Sequence, residues 1–198
     1  MARSSTSAAR GGRAADPAAV ERAVAELIRA LGLDPADEPE LAQTPARVAD
    51  LYREAFSGLD PGAEPEIATF PHAGGRDEIV IVRDLPFHSL CVHHLVPFFG
   101  TAHVAYLPAE RIIGISGAAR LLAFYARRPQ LQERLTAQIA DHLERLVAPR
   151  GVAVVLEARH LCMEMRGART SGNVETRVVR GSLAAPPWSG TLDLRSRP

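Results

Sequence analysis

The chain has 198 residues, 46% of them hydrophobic and 23% charged, which is enough for one filled core and ordinary for a globular protein. Its 23 basic and 23 acidic residues cancel, so there is no global electrostatic case for nucleic-acid or membrane binding. No apolar run approaches the ~18 residues that would span a bilayer.

Residues 1–15 are small and basic, without periodicity or the apolar stretch of a signal peptide, and read as a disordered arm on a cytoplasmic protein. Asp16-Pro17 is a helix start, a capping carboxylate before proline at the first helical position. Val20, Val24, Leu27, Ile28 and Leu31 then share one face at helical spacing, and Gly32 ends the segment. Thr44-Pro45 opens a second helix by the same logic, with Val48, Leu51, Tyr52 and Phe56 as its stripe. Residues 16–60 therefore form an N-terminal helical appendage.

Proline and glycine punctuate 61–75, which reads as a loop, and 78–83 is a β-branched run that predicts a strand. A further strand or strand-ended loop covers 87–95, and a short one covers 103–107, closed by Pro108. Ser116 is the natural cap of a helix over 116–127, which Arg128-Pro129 breaks. Leu131, Leu135, Ile139, Leu143 and Leu146 then mark a long amphipathic helix. Residues 152–160 and 174–182 predict paired strands. Together 61–183 read as an α+β domain, an antiparallel sheet with two helices on one face, and 184–198 as a C-terminal tail. A sheet covered on one side must shield its other face or its edges, which predicts oligomerisation.

Two segments carry the chemistry: Cys91-Val92-His93-His94 and His160-Leu161-Cys162 hold both cysteines and three of the seven histidines. Two sulfurs and one imidazole are a zinc-ligand set that leaves a position open, the catalytic rather than the structural pattern. Inert buried thiols or one disulfide are the plainer readings, and the missing signal peptide weighs against the disulfide. On an extended segment His160 and Cys162 share a face, with Glu164 and Arg166 following if the strand continues. Adjacent His93 and His94 point oppositely there, so one ligates and the other serves as acid or base. Thiol redox chemistry lacks a Cys-x-x-Cys pair.

These segments, together with Thr44-Pro45-Ala46-Arg47-Val48, Tyr106-Leu107-Pro108, Gly114-Ile115-Ser116, the run from Arg128 to Thr136, and Met163-Glu164-Met165-Arg166-Gly167, closely resemble GTP cyclohydrolase I. The likeness covers about residues 17–182. It implies the tunnelling fold, a homodecamer of two pentamers with sites between subunits, and hydrolysis of C8 of GTP to formate with 7,8-dihydroneopterin triphosphate as product. By the matching motifs Cys91, His94 and Cys162 would hold Zn2+, and His93 and His160 would move protons. Gln132 and Glu133 would sit at the guanine, and Ser116, Arg120, Arg166 and Arg47 would face the triphosphate. Without the resemblance, Glu133 and Arg120 are ordinary solvated helix residues. His103 is a structural or surface histidine, and His72, His88 and His142 have no assigned role.

The chain departs from the family pattern at Val92, where glutamate is usual, and at Asp50, Thr101, Gly117 and Glu164, where lysines are common. The segment 170–176 is one residue short. There is no lysine anywhere, yet none of these sites became arginine. Two absent phosphate contacts cost about 3–6 kcal/mol, roughly a hundred- to ten-thousand-fold in affinity. An alternative is therefore a paralogue that takes a less phosphorylated guanine nucleotide or stops at a formamidopyrimidine or diaminopyrimidine. A further alternative is a non-catalytic, zinc-stabilised oligomeric binding module.

Overall fold

A computed structural model describes residues 15–60, 62–75 and 78–186. All but the last residue of the expected arm, and most of the tail, lie outside that range. The chain divides into two compact units, Met1–Glu64 and Pro65–Pro198.

In the first unit α1 spans Pro17–Ala30, and the Asp16 carboxylate accepts from the Ala19 N–H at 3.1 Å. Helix α2 spans Thr44–Ala55 and follows a 3-10 turn, Pro39–Gln43. Thr44 is thus the first helical residue rather than the cap, because the preceding turn already brings the chain in with helical geometry. Tyr52 stacks on Phe56 with ring centres 5.5 Å apart. The predicted stripe is only partly covered: Ile28 is buried, while Leu27, Leu31 and Leu51 are more than half exposed.

The second unit is built on a five-stranded sheet. Its strands are β2 (Val80–Cys91), β3 (Pro97–Leu107), β5 (Pro129–Gln130), β6 (Gly151–His160) and β7 (Asn173–Gly181), in the order β5-β2-β3-β6-β7. All pairings are antiparallel except β5, which runs parallel to the end of β2 at Leu90 and Cys91. Strands β2 and β3 are both longer than their apolar runs predict, because a bulge between Val82 and Leu85 lets β2 continue past Arg83-Asp84. Asp84 sits there at φ 55°, and its N–H donates to Nδ1 of the wholly buried His103. His103 is therefore structural. A second small sheet pairs β1 (Thr69–Pro71), inside what the sequence read as loop, with β4 (Arg111–Ile113).

Helix α3 (Gly117–Ala126) packs on β2, and α4 (Gln132–Val147) packs on β6, β7 and α3. Ser116 precedes α3 but makes no side-chain capping bond. One set of alternate strand residues, Ala102, Val104 and Tyr106 opposite Leu156, Val154 and Val152, is buried with Leu121, Leu135, Ile139 and Leu143. The opposite parity forms a second cluster: Ala105, Leu107, Ala153 and Val155 close over Leu183 from the 3-10 turn Ser182–Ala184. The face without helices is thus partly covered by the chain itself. Among the described residues no helix is long and apolar enough to cross a membrane.

Gly100 of β3 lies directly against β6, where an added Cβ would run into the Glu157 carbonyl oxygen and come within 2.7 Å of the Ala158 Cα. Backbone cannot yield as a side chain does. Gly100→Ala is therefore expected to lower stability by about 3 kcal/mol in urea titration, and an unchanged midpoint would refute this strand pairing.

Candidate metal centre and its surroundings

Strand β2 ends at Cys91 and the chain turns at once. The N–H groups of His94 and Leu95 both donate to the Cys91 carbonyl, at 3.3 and 2.8 Å, and Leu95 takes φ 52°. The Cys91 N–H donates to Val96 at 2.9 Å as the chain enters β3. Of the two readings of 87–95 the strand-ended loop holds, and His93 and His94 lie on a tight turn. Their rings are 6.2 Å apart and nearly perpendicular, rather than opposed across a strand. The Val92 N–H is held by the Gln130 carbonyl at 2.9 Å, which ties the turn to β5.

Strand β6 ends at His160, and Leu161–Glu164 forms one helical turn, α5. This corrects the extended reading of 160–162, since His160 and Cys162 do not share a strand face. The sheet register brings the two clusters together. Leu90 pairs with Pro97 and Phe98 pairs with His160, so the ends of β2 and β6 flank the start of β3.

The ligand atoms of Cys91, His94 and Cys162 all lie within 4.8 Å of one another, the sulfur of Cys91 being buried and the His94 imidazole exposed. Two sulfurs bonded to one zinc at about 2.3 Å stand at most about 4.6 Å apart, so a small side-chain adjustment would close this set on an ion. Burial, and then the neighbouring Cys91 sulfur, push the Cys162 thiol up. Two thiols that resist shared ionisation without a cation are the chemistry a zinc ion relieves. Arg166 donates to His94 Nε2 at 2.6 Å, so that nitrogen carries a lone pair, which Arg166 would have to release for Nε2 to bind an ion. Both cysteines are free thiols.

Around this set His93 Nδ1 lies 3.8 Å from the Cys91 sulfur. His160 is half-buried, its ring stacked on Phe98 at 4.7 Å and nearly parallel. Burial holds its imidazole below the usual range, against the opposing pull of Glu133 and Glu164. Its Nε2 meets Gln132 Oε1 at 2.7 Å. Gln132 is buried, whereas Glu133, Ser116, Arg120 and Arg166 are exposed and available to a ligand. Arg47 lies on α2, in the other unit.

The atypical positions are accommodated locally. Gly117 is packed so that a Cβ would stand 2.8 Å from Ile67. Glu164 is gripped by both arms of the Arg159 guanidinium at 3.0 and 2.6 Å, which holds its carboxyl below the usual carboxylate range. Asp50 pairs with Arg53 at 3.2 Å. Two participants were not named from sequence. Phe98 is found only through its register opposite His160. Gln130 bonds the Tyr125 carbonyl, Gln138 and Arg134, and so shapes the approach to α4. His142 packs with Tyr125 in the core at 2.9 Å, and His88 stacks on Phe99 at the surface.

An α+β protein with two thiols and an imidazole gathered at one end of a sheet, and a second imidazole stacked beside them, has the donor set of a catalytic metal centre. The GTP cyclohydrolase I family model matches residues 20–188, and the chain belongs to that family. It is 50% identical to GTP cyclohydrolase 1 of Mycobacteroides abscessus over 94% of this chain and 93% of that one. To the protein of the same name in Mycolicibacterium paratuberculosis it is 52% identical, over 84% and 82% respectively. To that of Mycobacterium tuberculosis it is 49% identical, over 85% and 84%. A solved archaeosine synthase QueF-Like, in the apo form, aligns with a TM-score of 0.40 at 18% identity over 50% of this chain and 91% of that one, too distant to bear on the assignment.

Proposed function

We propose that the chain is a zinc-dependent GTP cyclohydrolase that takes C8 out of the guanine ring of GTP as formate and yields 7,8-dihydroneopterin triphosphate. The observation that carries this reading is the convergence of Cys91, His94 and Cys162 within 4.8 Å in a chain of this family. These three residues would hold the zinc. When bound, it supplies Lewis acidity and a hydroxide source at neutral pH, the pKa of bound water falling to about 7.

The protein's own residues divide the remaining work. Hydrolysis at C8 requires a proton to leave the attacking water and one to reach a ring nitrogen as the C–N bond breaks. His160, whose imidazole burial holds below the usual range, and His93 beside the sulfur are the groups that move those protons. The exposed Glu133 carboxylate matches the two parallel N–H donors on the edge of guanine. Ser116, Arg120 and Arg166 are the phosphate contacts of this unit, the arginine forks suiting phosphate oxygens. Because Glu164 is already paired with Arg159, it sets no bare negative charge against a triphosphate.

We assign this unit to the tunnelling fold and the assembly to a homodecamer with sites between subunits. The supporting features are β7 at one end of the sheet order and the exposed Val92, Leu95 and Met165 on the segments that carry the ligands. Two unbridged thiols and a nucleotide substrate suit the cytoplasm.

The test is formate release from GTP by the purified chain, with the product identified by mass spectrometry and GDP, GMP and guanosine run in parallel. Formate and dihydroneopterin triphosphate from GTP are expected, lost with a chelator and restored by zinc. No formate from GTP, or release indifferent to metal removal, sinks the proposal.

A further inference from the structure

Gln132, the first residue of α4, is nearly inaccessible to solvent, and each polar atom of its side chain has a partner. Nε2 donates to the Leu156 carbonyl of β6 at 3.0 Å and to the Val174 carbonyl of β7 at 2.8 Å. Oε1 lies 2.7 Å from His160 Nε2. The orientation of the amide is forced. Turned over, its oxygen would face two carbonyl oxygens, and its NH2 group would face the imidazole. An amide oxygen only accepts, so His160 must donate from Nε2, and its neutral ring then carries the lone pair on Nδ1.

We infer that Gln132 is a positioning residue that locks the tautomer and ring plane of His160, making Nδ1 the nitrogen that takes and returns the proton during turnover. This rests on the catalytic reading of His160 given above, and it moves Gln132 from the guanine to the histidine. Both amide donors are occupied by the backbone and Oε1 meets the imidazole, and the burial of the side chain keeps the remaining lone pair of Oε1 from a base. Phe98, stacked nearly parallel at 4.7 Å, holds the same ring plane from its face. The lock couples the start of α4 to the ends of β6 and β7, where His160 and the turn bearing Cys162 begin.

The experiment has two arms. In the zinc holoenzyme with 15N-labelled histidine, at mildly alkaline pH, solid-state NMR reports the tautomer of His160, assigned by the signal missing from His160→Gln. The expected result is a protonated Nε2 and a bare Nδ1. The reverse tautomer overturns the inference whatever any variant does, so it stays testable should Gln132→Met fail to fold. In the kinetic arm, Gln132→Met is expected to lower kcat about 10- to 100-fold, with KM for GTP within about threefold and zinc content unchanged. A rise in KM with kcat preserved would mean that Gln132 reads the base, and would also overturn it. Fully active His160→Ala would remove the catalytic reading and this inference together, whereas inactive His160→Ala with the reverse tautomer would remove this inference alone.

Discussion

Cys162→Ala is expected to lower formate release from GTP at least about a thousandfold and to take bound metal from stoichiometric to background. Three donors are the fewest that hold zinc with an open position, and Cys162 is the one delivered by the short helix after β6. The cavity left by a half-buried thiol near the surface is small, so secondary structure and melting behaviour of the metal-free protein should hardly move. That contrast makes the prediction decisive. Loss of activity with metal retained would show that Cys162 is not a ligand, and loss of the fold itself would show that its role is packing. Metal analysis beside circular dichroism distinguishes the three.

His160→Ala should separate chemistry from metal binding. Removing a group that moves protons lowers kcat about 10²- to 10⁴-fold, equivalent to about 3–5 kcal/mol of transition-state stabilisation. Zinc should stay bound, because the three ligand atoms come from other side chains. KM for GTP should change little, since the guanine and phosphate contacts are assigned elsewhere. The alanine also leaves Gln132 Oε1 and the Phe98 ring without their partner, so a modest loss of stability accompanies the kinetic effect. Stopped-flow or formate-coupled assays, with metal stoichiometry measured on the same sample, test this. A variant that keeps more than about a tenth of wild-type turnover would exclude His160 as acid or base.

The zinc candidates were legible because the chain has only two cysteines, each within three residues of a histidine. The helices were equally legible. Asp16-Pro17 caps α1 as its side chain demands, and the leucine spacing along 131–146 corresponds to α4. In both cases the deciding interactions are local, a few residues apart along one chain. The β-branched runs identified strands, but not their lengths, because the bulge at Arg83-Asp84 and the apolar extension from Pro97 are settled by pairing partners.

The conformation of the ligand segments was not legible. The faces that an extended backbone assigns to His93 and His94, and to His160 and Cys162, are not those the folded chain uses. The first segment leaves its strand at Cys91 and the second at His160, and their hydrogen bonds return to Cys91 and Leu161. Gln132 shows the same limit from the other side. A sequence motif places it beside Glu133, and only the carbonyls of two distant strands show that its amide is fully engaged. The sequence by itself determined which donor atoms exist and which family they belong to, since those depend on residue identity and short spacing. Tertiary structure alone decided which of them meet, in what tautomer and on which backbone. Those outcomes are set by strand register and by the need to satisfy every buried polar group across long separations in the chain.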